Sequence, residues 1–344
     1  MLKISVIIPV YNVERWIRDC VDSLLVATSN IDDNIAVEVV CVDDGSTDRS
    51  GKIVDEYANI IHGKGCSDGL SIKVVHQGNS GVGVARNVAL KNASGEWIVF
   101  LDADDVVAPN IFECVSKCIQ DVSAADVIGF REIRFDETEE PTWCNECNGE
   151  PYKVADLSNR LRYAEVWRNM WNFCYRRTIL PQDGFAPLSV GEDLLFMNKA
   201  QCNAKLLVDL SDKLYGYRTR KGSAMNSQST LRKFRDHLSH IMQRIRVFSE
   251  SGKAVDSLIY RRLGVELIAV RQIYDISSND QAMAWRAYWE SLQWRQEYRV
   301  LPFWIRIIIF VESGCKSKLL AKFLCYVPFE LRKMLFNWGK EIGN

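Results

Sequence analysis

The first 135 residues alternate short β-branched runs with segments of helical period, and this rhythm constrains the fold most strongly. We predict strands near 3–9, 37–42, 71–75, 96–101 and 126–133, and helices near 13–27, 48–61, 82–92 and 109–121. Strands and helices that alternate in this way form a mostly parallel sheet with helices on both faces. The sequence therefore predicts an α/β fold, with Asn12 placed to cap the first helix.

Polar segments follow three of the predicted strands: PVYN at 9–12, DDGSTD at 43–48 and DADD at 102–105. Open parallel sheets bind ligands at the carboxyl ends of their strands, so we expect the three segments to converge. Carboxylates packed this closely repel one another unless a cation lies among them, and oxygen ligands suit Mg²⁺ or Mn²⁺. Asp102-x-Asp104 thus predicts a metal site shared with substrate phosphates, although a solvated turn is the alternative.

A glycine-rich block, QGNSGVGVARN at 77–87, follows the third strand and opens a helix. Such a helix start can bring backbone N–H groups close to anionic oxygens. The spacing is neither GxGxxG nor GxxxxGK[ST], so dehydrogenase and P-loop interpretations lose their main support. Arg86 is expected to contact a pyrophosphate or to brace the acidic cluster. A surface salt bridge is less favoured, because exposed pairs contribute little.

Four segments, in this order and spacing, resemble the family 2 glycosyltransferases: SVIIPVYN at 5–12, VDDGSTD at 42–48, GNSGVGVARN at 78–87 and FLDADD at 100–105. Later pieces resemble the family's ED motif and its Y-x-Y-R…S segment: GED at 191–193, YGYR at 215–218 and GSAM at 222–225. The resemblance implies the GT-A (nucleotide-diphospho-sugar transferase) fold, followed here by a helical C-terminal region.

The resemblance also implies roles for the donor-binding residues. Pro9 and Tyr11 belong to the motif whose tyrosine packs on the nucleobase, and Asp44 matches the aspartate that binds the base edge. Asp102 matches the aspartate that faces the ribose. Asp104 matches the ligand of the metal, expected to be Mn²⁺ or Mg²⁺.

On the acceptor side, Asp193 matches the family's general base. A sugar hydroxyl is barely acidic, so a carboxylate has to take its proton as the oxygen attacks the anomeric carbon. The competing interpretation is an ordinary acid in the first turn of a helix, where negative charge is favoured. Trp171 matches a tryptophan that shapes the sugar and acceptor pocket, and it also fits a core stripe with Tyr163 and Trp167.

The function implied is an inverting transfer of a sugar from a nucleotide-diphosphate donor, with a UDP-sugar expected, to a glycan or lipid-linked acceptor in cell-surface polysaccharide synthesis. Two alternatives stay open. A sugar-1-phosphate nucleotidyltransferase would carry a basic, glycine-rich N-terminal loop, which PVYN does not resemble. A non-catalytic sugar-binding protein would lack a base or a metal ligand, yet Asp193 and Asp104 are both present. A net charge of -1 gives no reason to expect nucleic acid.

The same patterns divide the chain into a catalytic domain, 1–228, and a helical region, 229–344. Within the first, 1–105 is expected to bind the nucleotide-sugar and 106–228 to form the acceptor side. Residues 284–344 carry ten basic and five acidic residues and five of the ten tryptophans. This composition is typical of amphipathic helices on an anionic membrane surface, although packing on the catalytic domain or a second subunit is the alternative.

Cysteine usage and the lack of export signals predict a cytoplasmic protein, on the inner face of the plasma membrane if the tail binds there. The eleven cysteines are odd in number and lie mostly in apolar runs, as reduced thiols do. Cys144 and Cys147 form a CxxC without a second pair, so ordinary thiols are favoured over a zinc or redox site. The apolar stretch 301–311 falls short of the ~20 residues that a membrane span needs.

Overall fold

A computed structural model of the chain describes residues 1–29, 31–63, 69–143, 152–162, 169–220, 230–273 and 300. The chain divides into two compact units: residues 1–228 with 250–256, and residues 229–249 with those from 257 onward. Several sequence predictions fall outside the described residues: Cys144 and Cys147, Tyr163 and Trp167, GSAM at 222–225, and the tail 284–344 apart from residue 300.

The described residues of the first unit form a nine-stranded sheet. Its strands are β1 Leu2–Val10, β2 Ile35–Asp43, β3 Leu70–His76, β4 Trp97–Phe100, β5 Val106–Val107, β6 Val127–Asp136, β7 Lys153–Asp156, β9 Phe173–Arg176 and β10 Leu206–Thr219. A separate pair is formed by β8 Arg160–Leu161 and β11 Ala254–Val255. The helices are α1 Ile17–Thr28, α2 Ser50–Gly63, α3 Val82–Asn92, α4 Ile111–Asp121 and α5 Glu192–Asn203, with 3-10 turns at Met170–Asn172 and Arg177–Ile179.

The strand order of the large sheet is β3-β2-β1-β4-β9-β6-β10-β5, and β7 pairs with β10. β1 runs parallel to β2 and β4, β2 to β3, and β6 to β10. β9 runs antiparallel to both β4 and β6, so β4 and β6 share a direction. The predicted mostly parallel sheet is therefore confirmed. β1 and β4 are buried almost throughout, as expected of central strands covered on both faces.

The start of the first helix differs from the prediction. α1 begins at Ile17, and Asn12 does not cap it. Asn12 instead has a left-handed backbone with φ 52°, a conformation that asparagine tolerates. Its side-chain Oδ1 accepts a hydrogen bond from the Thr47 N–H at 2.8 Å, and its own N–H donates to the Ser46 hydroxyl at 3.2 Å. The asparagine thus ties the end of β1 to the loop after β2.

The second unit contains α6 Leu231–Glu250 and α7 Ser257–Ile273. α6 buries residues at helical spacing, among them Phe234, Leu238, Ile241 and Ile245. The expectation of helices alone beyond residue 229 is wrong at Ala254–Val255, which pair with β8 in the first unit. Two residues are too few to show a strand period. None of the described helices is long and apolar enough to cross a membrane.

Glu38 on β2 holds the turn that precedes β4. Its carboxylate accepts hydrogen bonds from the Ser5 hydroxyl at 2.5 Å, from the Ser94 N–H and from the Gly95 N–H at 2.9 Å. Burial works to raise the pKa of Glu38, but these hydrogen bonds outweigh it and lower the pKa to about 2. Because the folded pKa lies below the ordinary 4.5, the carboxylate stabilises the fold above pH 4.5 and loses this effect as the pH falls toward 2.

We expect Glu38→Gln to lower the free energy of unfolding at neutral pH by about 2 kcal/mol, the typical contribution of hydrogen bonds to a charged group. The difference from wild type should shrink as the pH falls below 4.5. Urea unfolding followed by circular dichroism across this pH range measures it, with the exposed Glu139→Gln as control. A loss that is independent of pH would contradict the role of the charge.

Candidate functional site

The loops after β1 and β2 are joined by hydrogen bonds. Besides the contacts of Asn12, the Asp44 N–H donates to the carbonyl oxygen of Val10 at 2.9 Å. Tyr11 lies within this connection and is 47% exposed, whereas Pro9 is buried in β1. An aromatic ring is therefore available to a flat ligand at this edge of the sheet.

Asp44 is buried and fixed by the glycine-rich block. Its carboxylate accepts hydrogen bonds from the Gln77 side chain at 2.7 Å and from the N–H groups of Ser80 and Gly81, both at 2.8 Å. Gly81 has φ 96°, which favours glycine. The N–H groups at this helix start thus meet an anion, as expected, but the anion is a carboxylate of the chain itself.

Arg86 on α3 connects two acidic segments. Its Nη2 donates to Asp102 Oδ1 at 2.9 Å and its Nη1 to Glu192 Oε1 at 3.1 Å, while the guanidinium lies 5.5 Å from the ring centre of Phe185. Arg86 is 4% exposed, so the surface salt-bridge interpretation is wrong. At the site, Arg86 is expected either to contact a pyrophosphate or to brace the acidic cluster. Its contacts with Asp102 and Glu192 are those of a brace.

The second half of the DADD segment is held by β10 and the residue after it. Asp105 is buried and accepts hydrogen bonds from the Tyr215 hydroxyl at 2.6 Å and the Arg218 N–H at 2.8 Å. Burial, followed by the charge of Asp104, raises the pKa of Asp105 well above its ordinary value. Asp104 Oδ2 accepts from Arg220 Nε at 2.6 Å, and the Asp104 carbonyl oxygen accepts from Arg218 Nε at 2.9 Å.

The donor set at this segment fits a metal completed by substrate. Within the part of the chain that the structure describes, no three His, Cys, Asp or Glu side chains are grouped as metal ligands. Mg²⁺ is usually bound through one or two carboxylates together with substrate phosphates, which requires fewer protein ligands. Asp104 meets this requirement, because its Oδ1 has no hydrogen-bond partner among the described residues.

The ED segment forms the first turn of α5, after Gly191 with φ 76°. Asp193 is half-buried, and its Oδ1 accepts a hydrogen bond from the Leu194 N–H at 2.7 Å. A general base and an ordinary acid in the first turn of a helix would both occupy this position, so it fits either interpretation of Asp193. Glu192 is buried against Arg86; burial and then the charge of Asp193 raise the pKa of Glu192 to about 7, although Arg86 opposes the rise. Arg86 therefore links the DADD segment to the turn that carries Asp193.

Trp171 lies in the 3-10 turn Met170–Asn172 and packs, partly buried, against the hydrophobic core. The alternative stripe with Tyr163 and Trp167 falls outside the described residues. The Trp171 indole stacks on Tyr217 at 5.6 Å and 15°, and on Tyr215 at 6.1 Å and 27°. The indole Nε1–H donates to Glu132 Oε2 at 3.2 Å. Because Tyr215 also bonds to Asp105, the tryptophan lies next to the acidic segment.

Two residues in these contacts escaped the sequence reasoning. Glu132 is a single carboxylate in the middle of β6, and no pattern marks it. Arg220 lies just past the YGYR segment and belongs to no motif. Its contact with Asp104 depends on tertiary packing, which the sequence pattern does not show.

The motifs and their convergence define a nucleotide-sugar transferase, and comparison gives the family. The model of the Glycosyl transferase family 2 matches residues 5–182, and the chain belongs to this family. Glycosyltransferase GlyA of Streptococcus pneumoniae serotype 4 is 31% identical over 230 residues, 64% of this chain and 31% of GlyA. Glycosyltransferase GlyG of the same strain is 26% identical over 325 residues, 90% of this chain and 97% of GlyG.

A third relative extends the comparison to solved structures. Poly(ribitol-phosphate) beta-N-acetylglucosaminyltransferase TarS of Staphylococcus aureus strain MW2 is 33% identical over 241 residues, 66% of this chain and 37% of TarS. The crystal structure of S. aureus TarS 1–349 with UDP-GlcNAc matches with a TM-score of 0.66 at 22% identity, covering 91% of this chain and 88% of that one. The predicted GT-A fold is confirmed, and the nucleotidyltransferase alternative is left without support.

The titration of Glu192 tests the geometry of the Arg86 bridge. A carboxyl group with a pKa raised from 4.5 to about 7 disfavours ionisation in the fold, so its contribution to stability falls as the pH rises between these values. We expect Asp193→Asn to lower the pKa of Glu192, because it removes a neighbouring negative charge, and Arg86→Met to raise it. Carbon-13 NMR of the Glu side-chain carboxyl measures both, with the exposed Asp33→Asn as control. An unchanged pKa in both variants would contradict the bridge.

Proposed function

We propose that the chain is an inverting glycosyltransferase that moves a sugar from a UDP-sugar to a hydroxyl of a glycan or lipid-linked acceptor in cell-surface polysaccharide synthesis. One observation carries the proposal: the buried Arg86 donates hydrogen bonds to Asp102 at 2.9 Å and to Glu192 at 3.1 Å. These contacts hold the DADD segment, which we call the donor segment, beside the first turn of α5, which carries Asp193. The binding of UDP-GlcNAc by TarS, a relative in fold, supports a UDP-sugar as donor.

The nucleotide is proposed to bind along the carboxyl ends of β1, β2 and β4. Tyr11, with its exposed ring, packs on the base above the buried Pro9. Asp44 binds the base edge from its fixed position beside Gln77. Asp102 faces the ribose, and its hydrogen bond from Arg86 sets the direction of the carboxylate.

Mn²⁺ or Mg²⁺ is proposed to bind at Asp104, where it would stabilise the negative charge that develops on the leaving diphosphate. Arg220 holds one oxygen of Asp104, and the other oxygen is available among the described residues. Arg220 also lies 4.4 Å from the ring centre of Trp16, which orients the guanidinium toward the carboxylate.

Asp193 is proposed to take the proton of the acceptor hydroxyl. Its Oδ1 is engaged by the Leu194 N–H, which leaves Oδ2 to accept a hydrogen bond from the acceptor. As the proton moves to Asp193, the acceptor oxygen forms a bond to the anomeric carbon and the bond to the diphosphate oxygen breaks, with its electron pair leaving on the diphosphate. Attack from the face opposite the diphosphate inverts the anomeric centre.

The proposal predicts that the purified protein, mixed with a panel of UDP- and GDP-sugars and Mn²⁺, releases nucleotide from a UDP-sugar. Asp193→Asn should lower kcat by about 10²- to 10⁴-fold, the usual contribution of a general base, with donor affinity unchanged. Asp104→Asn should weaken the Mn²⁺-dependent binding of UDP in calorimetry. Asp33→Asn, an exposed aspartate, is the matched control.

Two results would contradict these assignments. Normal turnover by Asp193→Asn would remove the base, and Mn²⁺-dependent UDP binding retained by Asp104→Asn would remove the metal ligand. The contact of residues 284–344 with the cytoplasmic face of a membrane stays a prediction.

A further inference from the structure

One polar contact of the site has no role in the donor chemistry. Glu132 on β6 accepts hydrogen bonds from Trp171 Nε1 at 3.2 Å, from Asn169 Nδ2 at 3.3 Å and from Arg134 Nε at 2.8 Å. Two of these donors bond to Oε2 and the third to Oε1, so both oxygens of the carboxylate are held. Glu132 therefore fixes the indole plane of Trp171 and the guanidinium of Arg134 relative to each other.

The groups that Glu132 orients form one aromatic surface. Tyr217 contacts both groups: the Trp171 indole lies 5.6 Å from its ring centre, and the Arg134 guanidinium lies 5.3 Å from it. Trp171 and Tyr217 are half-buried, and Arg134 keeps 66% of its side chain exposed. We define Trp171, Tyr217, Arg134 and Glu132 as the aromatic surface. Rings of this kind pack on the apolar faces of sugars, and the polar groups beside them bind hydroxyls.

The position of this surface suits the acceptor. Trp171 stacks on Tyr215 at 6.1 Å, and the Tyr215 hydroxyl donates to Asp105 at 2.6 Å, so the surface lies beside the donor segment. On the other side, the Tyr175 hydroxyl donates to the carbonyl oxygen of Met170 at 3.0 Å, next to Trp171. The 3-10 turn that carries Trp171 contacts α5, whose first turn holds the proposed base Asp193. The surface thus lies between the two reacting ends of the site.

We propose that the aromatic surface binds an uncharged sugar of the acceptor, and that Glu132 is the positioning residue that holds Trp171 and Arg134 in place for it. This inference rests on the proposed function. The charges of Glu132 and Arg134 compensate each other at 2.8 Å, so the surface offers no net charge to an anionic sugar. An uncharged ring that packs on the aromatic side chains, with its hydroxyls near Arg134, is the acceptor that this arrangement favours.

The test uses the full chain with indole-¹⁵N-labelled tryptophan, in which Trp171→Phe assigns the Trp171 signal. Neutral p-nitrophenyl β-glycosides of several sugars are titrated in parallel with p-nitrophenyl β-glucuronide. We expect a neutral glycoside to shift the Trp171 signal, and Glu132→Gln to weaken that binding about tenfold, as loss of a charged hydrogen bond implies. Trp171→Phe keeps a ring but loses both the N–H and the indole signal, so binding by all variants is compared by calorimetry. Trp171→Phe should weaken binding similarly, and the double variant should be no weaker than either single one.

Kinetics with the neutral glycoside that binds most tightly distinguish a positioning role of Glu132 from an effect on folding. Glu132→Gln should raise the acceptor KM about tenfold while kcat and donor hydrolysis without acceptor stay within about twofold. Glu139→Gln, exposed after the same strand, should change neither. The inference is overturned if no neutral glycoside shifts the Trp171 signal, if the glucuronide binds as well, or if the effects of Glu132→Gln and Trp171→Phe add. A wild type that binds the glycoside but releases no nucleotide would instead contradict the proposed function.

Discussion

A single buried guanidinium holds the two ends of this site together. Arg86 is almost fully enclosed, and its charge is balanced by Asp102 at 2.9 Å and Glu192 at 3.1 Å. Burying a charge is costly unless it is paired and hydrogen-bonded, and removal of one partner leaves an uncompensated charge behind. The loop after β4 and the first turn of α5 are therefore constrained to lie together, although 90 residues of chain separate Asp102 from Glu192.

The opposite side of the acidic segment is fixed by β10. Tyr215 and Arg218 hold the buried Asp105, and Arg220 holds Asp104. Since Tyr215 also stacks on Trp171, the donor segment and the aromatic surface share one support. Displacement of β10 would therefore alter the proposed metal ligand and the proposed acceptor surface at the same time.

Much of this arrangement follows from the sequence, because local period and motif order are local properties. The parallel half of the sheet and the bounds of α3 agree with the strand and helix periods. The predicted start of the first helix is too early, because Asn12 takes a left-handed conformation and bonds with Thr47, which lies 35 residues away in the chain. Glu132 could not be found, because its role depends on the 3-10 turn that brings Trp171 to β6.

Arg86 shows the same difference between what a local motif indicates and what tertiary packing decides. Its place in the motif indicated a role at the site, but the choice between a phosphate contact and a brace depended on where α5 packs. Asp44 shows the converse: the N–H groups expected to bind a ligand anion bind this carboxylate instead. Sequence thus indicated the residues that take part, while tertiary packing determined their partners.

The most direct measurement is a double-mutant cycle on kcat/KM with Arg86→Lys and Glu192→Gln. Lysine keeps the charge but cannot bridge two carboxylates with a planar fork. Coupling through the bridge predicts a non-additive double variant, with an interaction energy of about 2 kcal/mol. Arg18→Lys with Glu56→Gln, an exposed pair that joins α1 and α2, should be additive in kcat/KM. Additive effects of the Arg86 and Glu192 substitutions, in variants that unfold at the wild-type urea concentration, would contradict the account.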